Sequence, residues 1–317
     1  MANVTDVAFR TIIAKYGKPD VMWTEFVSAD GLALAPEDPP DSPTAKPWRA
    51  GGRKKLLKDL EHSEAEHPIV AQFFTSSPEH IKKAAELAVK LGFDGIDINM
   101  GCPDKTIEKQ GAGAKLLKDA KLARELIRSA KSGAGDLPVS LKTRTGYNKP
   151  ELDTWLPEIL KENPAVVIIH ARTRKEMSKV PARWDLIKRA VEIRDASGVE
   201  TLIFGNGDVV DIDDARRKCE EFRCDGVMLG RAIFGNPWLF HHSHELDHSV
   251  EEKLKVLVEH TKLFEKLLGG YKNFAIMKKH FKAYVNGFDG AVDLRTKLME
   301  TEKASEVEEI ISKFLGK

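Results

Sequence analysis

The most constraining feature of the sequence is a regular alternation of short apolar runs with longer stretches of helical periodicity. Apolar runs typical of strands cover residues 21–24, 69–73, 95–98, 137–142, 165–169, 201–204 and 226–229. Helical patterns follow six of them: a short one that ends at about Leu34, and longer ones over residues 77–91, 119–131, 151–162, 184–196 and 212–222. Residues 165–169 are continuously apolar, as expected for a strand that is covered on both faces. The alternation therefore predicts a parallel sheet with crossover helices.

The count of strands and the length of the chain narrow the fold class. The 317 residues suffice for a (β/α)8 barrel of about 250 residues with an appendage. We predict an α/β fold: a TIM barrel over residues 1–240, followed by a small all-helical domain over residues 245–317. Seven strands are predicted where a closed barrel has eight. Two hypotheses account for the missing first strand: the sheet lacks it, or Met1 lies downstream of the biological start.

Composition excludes several classes of protein. A net charge of +1 means that any nucleic-acid binding must come from a local patch rather than from the charge of the whole molecule. The three cysteines are too few for a disulfide framework and favour a reducing cytoplasm. Cys219 and Cys224 lack the spacing of a zinc site, and the histidine-rich run 241–244 has no thiol cluster beside it, so we predict no metal. No apolar run approaches the roughly 18 residues of a membrane span, and no signal peptide is visible.

Residues of types that bind ligands or catalyse reactions occur where the predicted strands end. Since the carboxyl ends of barrel strands form the catalytic face, these residues are candidates for one active site. They are Gln72, Asn99, Cys102, Lys142, Arg144, His170, Arg172, Asn206, Gly207, Asp208, Gly230 and Arg231.

Cys102 is the candidate for chemistry because it follows a buried strand on a turn. Gly101 and Pro103 flank it and indicate a turn rather than a packed interior. The alternative is that Cys102 is a small core residue, the commonest role of a free cysteine. A glycine-rich loop over residues 110–114 would line the same mouth.

The last two strand ends are glycine-rich and favour phosphate binding. Residues 204–208 and 229–233 carry the glycines, and Arg231 adds a guanidinium. A phosphate anchor with Lys142 and His170 deeper in the mouth suggests a cofactor. A lysine ammonium stabilises the negative charge of a reduced flavin, and Gln72 is placed to hydrogen-bond its pyrimidine edge.

In this order, the motifs resemble the tRNA-dihydrouridine synthase family over nearly the whole chain. The residues that carry the resemblance are 1–10, 99–103 with 111–114, 142–146, 170–173, 205–208, 230–231 with 235–238, and 277–284. The resemblance implies an FMN-dependent barrel that uses NADPH or NADH to reduce the C5=C6 bond of specific uridines in tRNA. It implies that Cys102 protonates C5 as general acid and that Asn99 holds the uracil edge.

The resemblance also implies the binding residues. Those for FMN are Met1, Ala2, Gln72, Lys142, His170, Asn206, Gly207, Asp208, Gly230 and Arg231. Arg144 and Arg172 face either the flavin or the RNA. A helix predicted over residues 271–284 carries four lysines as RNA candidates: Lys272, Lys278, Lys279 and Lys282. The alternative for these lysines is a solvated basic face.

One departure from the family and two rival functions remain open. In the family a strand and a proline precede the segment that begins here at Met1, and that stretch backs the flavin ring. A rival enzyme is an FMN barrel acting on a small molecule, such as a dihydroorotate dehydrogenase-like protein. A rival of another class is an RNA-binding protein without a cofactor. We predict a monomer without membrane association.

Overall fold

The computed structural model describes residues 1, 3–35, 52–241 and 248–316. These residues contain seven strands, the number predicted, in one sheet with the strands side by side in chain order. The strands are β1 (Met22–Ser28), β2 (Ile69–Phe74), β3 (Gly95–Asn99), β4 (Val139–Arg144), β5 (Val166–His170), β6 (Leu202–Asn206) and β7 (Gly226–Met228). All pairings from β2 to β7 are parallel. The prediction of an α/β barrel-type fold is confirmed.

Helices separate the strands and dominate the chain after β7. They are α1 (Val7–Tyr16), α2 (Ala29–Leu34), α3 (Gly52–Asp59), α4 (Pro78–Lys90), α5 (Lys105–Lys109), α6 (Ala120–Ala134), α7 (Leu152–Leu160), α8 (Asp185–Ser197), α9 (Ile212–Phe222), α10 (Val250–Leu268), α11 (Met277–Tyr284), α12 (Ala291–Leu298) and α13 (Ala304–Phe314). Short 3₁₀ helices cover Glu64–Glu66, Gly113–Lys118, Arg231–Ile233 and Phe274–Ile276. In these described ranges no helix is both long and apolar enough to cross a membrane.

Local sequence signals set where the helices begin. The Ser77 hydroxyl accepts from a backbone N–H of α4, whose first residue is a proline. Asp119 and Asp211 cap α6 and α9 in the same way. Ser249 and Glu252 form a capping box that starts α10. These caps satisfy backbone donors that would otherwise lack partners at each helix start.

The chain divides into two compact units. The larger unit comprises Phe26–Leu57 and His67–Gly230, and the smaller unit comprises Met1–Glu25, Lys58–Glu66 and Arg231–Lys317. Strands β2 to β7 and helices α4 to α9 lie in the larger unit, where the strand interiors are fully buried apolar residues such as Ile96 and Ile168. The domain boundaries predicted at residues 240 and 245 stay a prediction.

The smaller unit has its own apolar core and a buried ion pair between Arg10 and Glu66. Side chains of α1, α10, α11, α12 and α13 pack into a single cluster. On α1, Arg10 Nε lies 2.6 Å from Glu66 Oε2, and both side chains are almost entirely buried. Arg10 also donates to the carbonyls of Thr5 and Glu61 at 2.7 and 2.5 Å. A buried guanidinium with this many partners fixes α1 within the unit.

The basic stretch over residues 271–284 differs from the single helix predicted. Asn273 accepts from the Ala275 N–H at 2.8 Å and starts a 3₁₀ turn, and α11 follows from Met277. Lys272 lies before this turn and is buried between Glu25 and Asp59. Its interpretation as an RNA contact is therefore wrong, because its ammonium is enclosed by carboxylates. Lys279 and Lys282 are exposed, and Lys278 is half-buried.

Two buried histidines face each other in the core of the smaller unit. His260 on α10 and His280 on α11 have ring centroids 4.6 Å apart, and Phe9 packs on both. No nitrogen of either ring has a hydrogen-bond partner among the described residues. Burial lowers the pKa of His280 to about 4 and that of His260 well below its usual value. Both rings are therefore neutral in the folded protein at neutral pH.

We expect this histidine pair to make the smaller unit acid-sensitive. The pKa of His280 is lower in the folded protein than in the unfolded chain, where it is about 6.5. Below about pH 6.5 the unfolded chain therefore binds more protons, and the free energy of unfolding falls as the pH drops towards 4. Replacing His280 with phenylalanine should reduce the loss of unfolding free energy between about pH 7.5 and 5 by about 2 kcal/mol. Urea unfolding of both proteins at the two pH values measures this difference. An equal loss of unfolding free energy in the two proteins would contradict a buried, neutral His280.

Candidate active site

The predicted site residues of the larger unit lie side by side at the carboxyl edge of the sheet. The strand register pairs Asn99 with Lys142, Arg144 with His170, and His170 with Asn206. The expectation that the strand ends bring these side chains together is confirmed. Asn99, Arg144, His170 and Asn206 are the last residues of β3, β4, β5 and β6, and Lys142 lies two residues before the end of β4. The sheet itself therefore fixes their spacing.

Asn99 holds the turn that carries Cys102. Its Oδ1 accepts from the backbone N–H groups of Gly101 and Cys102, at 3.2 and 2.9 Å. The Cys102 carbonyl in turn accepts from the Ala114 N–H at 2.9 Å. Cys102 is half-buried and lies three residues after the end of β3, on a constrained turn and not in the packed interior.

The glycine-rich loop after α5 contacts this turn through Gly113. Gly113 has φ +61°, in the left-handed region that favours glycine. A Cβ atom there would lie 2.7 Å from the Cys102 carbonyl oxygen. Only glycine therefore allows the two loops to approach so closely, as the sequence suggested for residues 110–114.

The surroundings of the Cys102 thiol keep it protonated. Burial raises the pKa of Cys102 above its usual value, while a backbone hydrogen bond at Asp104 acts in the opposite direction. A thiol with a raised pKa is neutral at pH 7 and retains a proton to donate. This position suits an acid better than a nucleophilic thiolate.

Lys142 is the principal cation on this edge. Its Nζ donates to Asn206 Oδ1 at 3.0 Å, and Asn206 Nδ2 donates to the Met228 carbonyl at 2.7 Å. The second contact fixes which end of the Asn206 amide faces the lysine. Burial, followed by the nearby Arg144, lowers the pKa of Lys142 to about 8.

Arg144 and Arg172 are both engaged by the protein itself. Arg144 donates to the carbonyls of Gly101, Thr173 and Met177 at 2.9, 3.1 and 2.9 Å. Its pKa is lowered to about 10 by burial. Arg144 therefore ties the loop that begins at Gly101 to the loop that follows β5.

Arg172 joins two further predicted residues. Its guanidinium forms an ion pair with Asp208 and contacts His170 Nε2 at 3.0 Å. Because a guanidinium only donates, Nε2 of His170 accepts and its proton lies on Nδ1. Gly207, with φ +123°, lies against the His170 ring: a Cβ there would be 3.0 Å from Cδ2. The loops after β5 and β6 are thus held together.

Sequence reasoning missed Asp97 and Ser140 beneath this edge. Asp97 is fully buried in β3 and accepts from Gln72 Nε2 at 2.7 Å and from Ser140 Oγ at 2.6 Å. The signal was present, since a carboxylate inside a buried strand needs partners. Gln72 Oε1 accepts from Asn99 Nδ2 at 3.0 Å, which links this pair to the Cys102 turn.

The remaining predicted residues are distributed as follows. Gly230 ends the larger unit, whereas Met1, Arg231, Lys278, Lys279 and Lys282 belong to the smaller unit. Ala2 lies outside the described residues. In the part of the chain that the structure describes, no cluster of three metal-ligating side chains occurs.

The larger unit therefore presents a neutral thiol, a lysine ammonium and oriented amides on one rigid edge. Such a set can donate a proton and stabilise negative charge on a neighbouring group. None of these groups is a hydride donor, so a hydride transfer at this edge would draw its electrons from a cofactor.

Sequence comparisons identify relatives along the whole chain. The family model described as dihydrouridine synthase (Dus) matches residues 1–316. A probable tRNA-dihydrouridine synthase of Staphylococcus aureus (strain Mu50) is 37% identical over 316 residues, which cover 99% of this chain and 91% of that protein. Probable tRNA-dihydrouridine synthase 2 of Bacillus subtilis (strain 168) is 38% identical, with 99% and 92% covered.

Solved structures with the same fold are much more distant in sequence. Histamine dehydrogenase from Rhizobium sp. 4-9 matches with a TM-score of 0.51 and 13% identity, covering 82% of this chain and 46% of that one. A 2-naphthoyl-CoA reductase complex matches with a TM-score of 0.51 and 12% identity, covering 76% and 46%. At this identity the likeness concerns the fold alone.

Proposed function

Because the chain belongs to the dihydrouridine synthase family, we propose that it reduces the C5=C6 bond of uridines in tRNA. The names of the relatives, probable tRNA-dihydrouridine synthases, support tRNA as the substrate. The observation that carries the proposal is the position of the Cys102 thiol, whose pKa burial raises, on the turn held by Asn99 and on the same sheet edge as Lys142.

We propose FMN as the cofactor, with NADPH or NADH as its reductant. The residues on the edge fit such a group, because Lys142 is a half-buried ammonium whose described hydrogen bond goes to the neutral Asn206. It retains donors for an anionic ligand, as a flavin lysine requires. When bound, FMN supplies the hydride that reaches C6 of uracil.

Further residues would hold this cofactor. Gln72, His170, Asn206, Gly207, Asp208 and Gly230 are our candidates in the larger unit, and Met1, Ala2 and Arg231 stay predictions from the resemblance. Arg172 donates to His170 Nε2 at 3.0 Å, which fixes the orientation of the His170 ring beside the Gly207 loop. Lys142 would supply positive charge to the cofactor.

In this proposal Cys102 donates the proton that reduction adds at C5 of uracil. Asn99 and the buried Arg144 hold the backbone of the turn that carries the thiol, through the Cys102 N–H and the Gly101 carbonyl. Asn99 has both amide ends engaged by the protein, yet one Nδ2 hydrogen remains for the uracil edge. We propose that Arg144 and Arg172 act by ordering loops rather than by contacting RNA, since both are buried.

The exposed lysines of α11 are our candidates for tRNA phosphates, together with the half-buried Lys278. Replacing Lys279 and Lys282 by alanine should weaken tRNA binding and reduce the slope of log K against log salt by about 2, one unit for each phosphate contact. Flavin reduction by NADPH should not change. Filter binding at several salt concentrations measures the slope.

A matched control lies in the same unit. Lys303 and Lys313 are also exposed, and their replacement by alanine removes the same charge elsewhere. If both double variants reduce the slope equally, the effect belongs to net charge, and the α11 assignment is wrong.

Product analysis separates this function from its rivals. Unmodified tRNA incubated with the protein, FMN and NADPH should yield dihydrouridine, detected by mass spectrometry of the digested nucleosides. Turnover of dihydroorotate without RNA would favour the small-molecule enzyme instead. Binding of tRNA by a protein that takes up no FMN would favour the RNA-binding alternative.

We further propose a monomer that acts in the cytoplasm.

A further inference from the structure

The Asp97 carboxylate, below the carboxyl edge of the sheet, determines which groups donate and which accept in a chain of hydrogen bonds. Asp97 lies within β3, and the strand register places it between Gln72 on β2 and Ser140 on β4. One of its oxygens accepts from Gln72 and the other from Ser140. Its exposure is 0%, so these neighbours and not water satisfy the charge.

The chain of hydrogen bonds continues from Gln72 through Asn99 to the turn that carries Cys102, and at each step the later group donates to the earlier one. Gln72 donates to Asp97 with its Nε2 and accepts from Asn99 Nδ2 with its Oε1. Asn99 then presents its Oδ1 to the N–H groups of Gly101 and Cys102. Every amide is thus oriented by the group below it.

We propose that Asp97 is a positioning residue that fixes the Cys102 turn through Gln72 and Asn99. The role rests on the proposed function, because it matters for proton transfer from Cys102. A carboxylate can only accept, whereas an amide can turn over and exchange donor and acceptor. With Asp97 ionised, Gln72 has one allowed orientation, and so has Asn99.

The ionised state of Asp97 agrees with its neighbours. Burial raises the pKa of Asp97 to about 6, while the hydrogen bonds from Ser140 and Gln72 and the charge of Lys142 act against that rise. The carboxylate is therefore mainly charged at pH 7.5. An asparagine at this position has the same shape but offers both a donor and an acceptor.

The consequence of Asp97→Asn is a loss of this fixed direction. If the Gln72 amide turns over, its Nε2 faces Asn99 Nδ2, and two donors meet. Asn99 then no longer holds the N–H groups of the turn in a single orientation. We expect the half-buried Cys102 thiol to become more accessible as the turn loosens.

Alkylation of the protein without flavin tests this directly. Iodoacetamide labelling, quantified by mass spectrometry of the peptide that carries Cys102, should be about 3–10-fold faster in Asp97→Asn than in the unmodified protein, since unfixed segments open more readily. Cys219 is an internal reference in the same molecule, and its rate should not change. Ser140→Ala is the matched control, because it removes the other hydrogen bond to Asp97 and leaves the Gln72 contact.

Two further measurements separate positioning from general stability. In the protein saturated with FMN, Asp97→Asn should slow reoxidation by tRNA at least about tenfold more than it slows flavin reduction by NADPH. In an Asn99→Ala background the alkylation effect of Asp97→Asn should disappear, because the chain is already broken. If Asp97→Asn does not fold, Gln72→Met breaks the same chain and should accelerate alkylation equally.

The outcomes are distinguishable from a failure of the proposed function. Unchanged Cys102 alkylation in Asp97→Asn, or an equal acceleration at Cys219, overturns the positioning role. The alkylation experiment needs neither flavin nor tRNA. If the protein without substitutions forms no dihydrouridine, the proposed function is wrong. The alkylation result then still decides the role of Asp97.

Discussion

Replacing Cys102 with alanine is expected to lower the rate of dihydrouridine formation by about 10²–10⁴-fold, the usual contribution of a positioned general acid. Alanine leaves the turn intact, because the contacts of Asn99 and Ala114 go to the Cys102 backbone. FMN should remain bound, and its reduction by NADPH should not change. Single-turnover kinetics with pre-reduced protein and unmodified tRNA measure the step that needs the proton.

The matched control for this change is Cys219→Ala. Cys219 is a half-buried free cysteine on α9 that has no part in the proposed chemistry. Its removal should leave the rate unchanged. Full activity of the Cys102 variant would remove the role assigned to this thiol, whereas loss of bound flavin would mean that the variant disturbs the cofactor and not the proton transfer.

Replacing Lys272 with methionine is expected to lower the free energy of unfolding by about 3–5 kcal/mol, the usual effect of removing one partner from a buried ion pair. Lys272 Nζ contacts Glu25 and lies 2.8 Å from Asp59 Oδ1, with the lysine and glutamate side chains about 5% exposed or less. Burial alone would lower the pKa of Lys272, but the two carboxylates outweigh it and raise the pKa. Without the ammonium, Glu25 keeps a buried charge whose remaining side-chain hydrogen bond among the described residues comes from the Val4 N–H at 3.1 Å.

Urea unfolding of Lys272→Met and Lys279→Met compares two lysines of one basic stretch. Lys279 is exposed, so its replacement should change the midpoint little. The tRNA affinity should respond in the opposite order, since the buried Lys272 has no access to a phosphate. Equal stability of the two variants would contradict the buried ion pair.

Much of the fold could be predicted from the sequence because the strands are short and apolar. The runs predicted at residues 69–73 and 95–98 correspond to Ile69–Phe74 and Gly95–Asn99, and the helix predicted at 212–222 is Ile212–Phe222. Strand alternation and helix caps are local signals, so one chain suffices to detect them. The grouping of Asn99, Lys142 and His170 then followed from the common carboxyl edge of a parallel sheet.

The partners of buried charges were not accessible in the same way. Lys272 lies in a run of lysines that reads as a basic face, while its partner Glu25 is 247 residues away in the chain. Asp97 looked like one polar residue in a strand, because its partners Gln72 and Ser140 come from the strands on either side. Such pairings depend on register and tertiary contacts, which charge patterning along the chain does not encode.

The most direct test of the central claim is the absorbance spectrum of the protein reconstituted with FMN, recorded without oxygen. We predict flavin bands that bleach when one equivalent of NADPH is added and return when unmodified tRNA follows. Fully modified tRNA should not restore them. A reduced flavin that unmodified tRNA leaves bleached would contradict the proposed tRNA reductase.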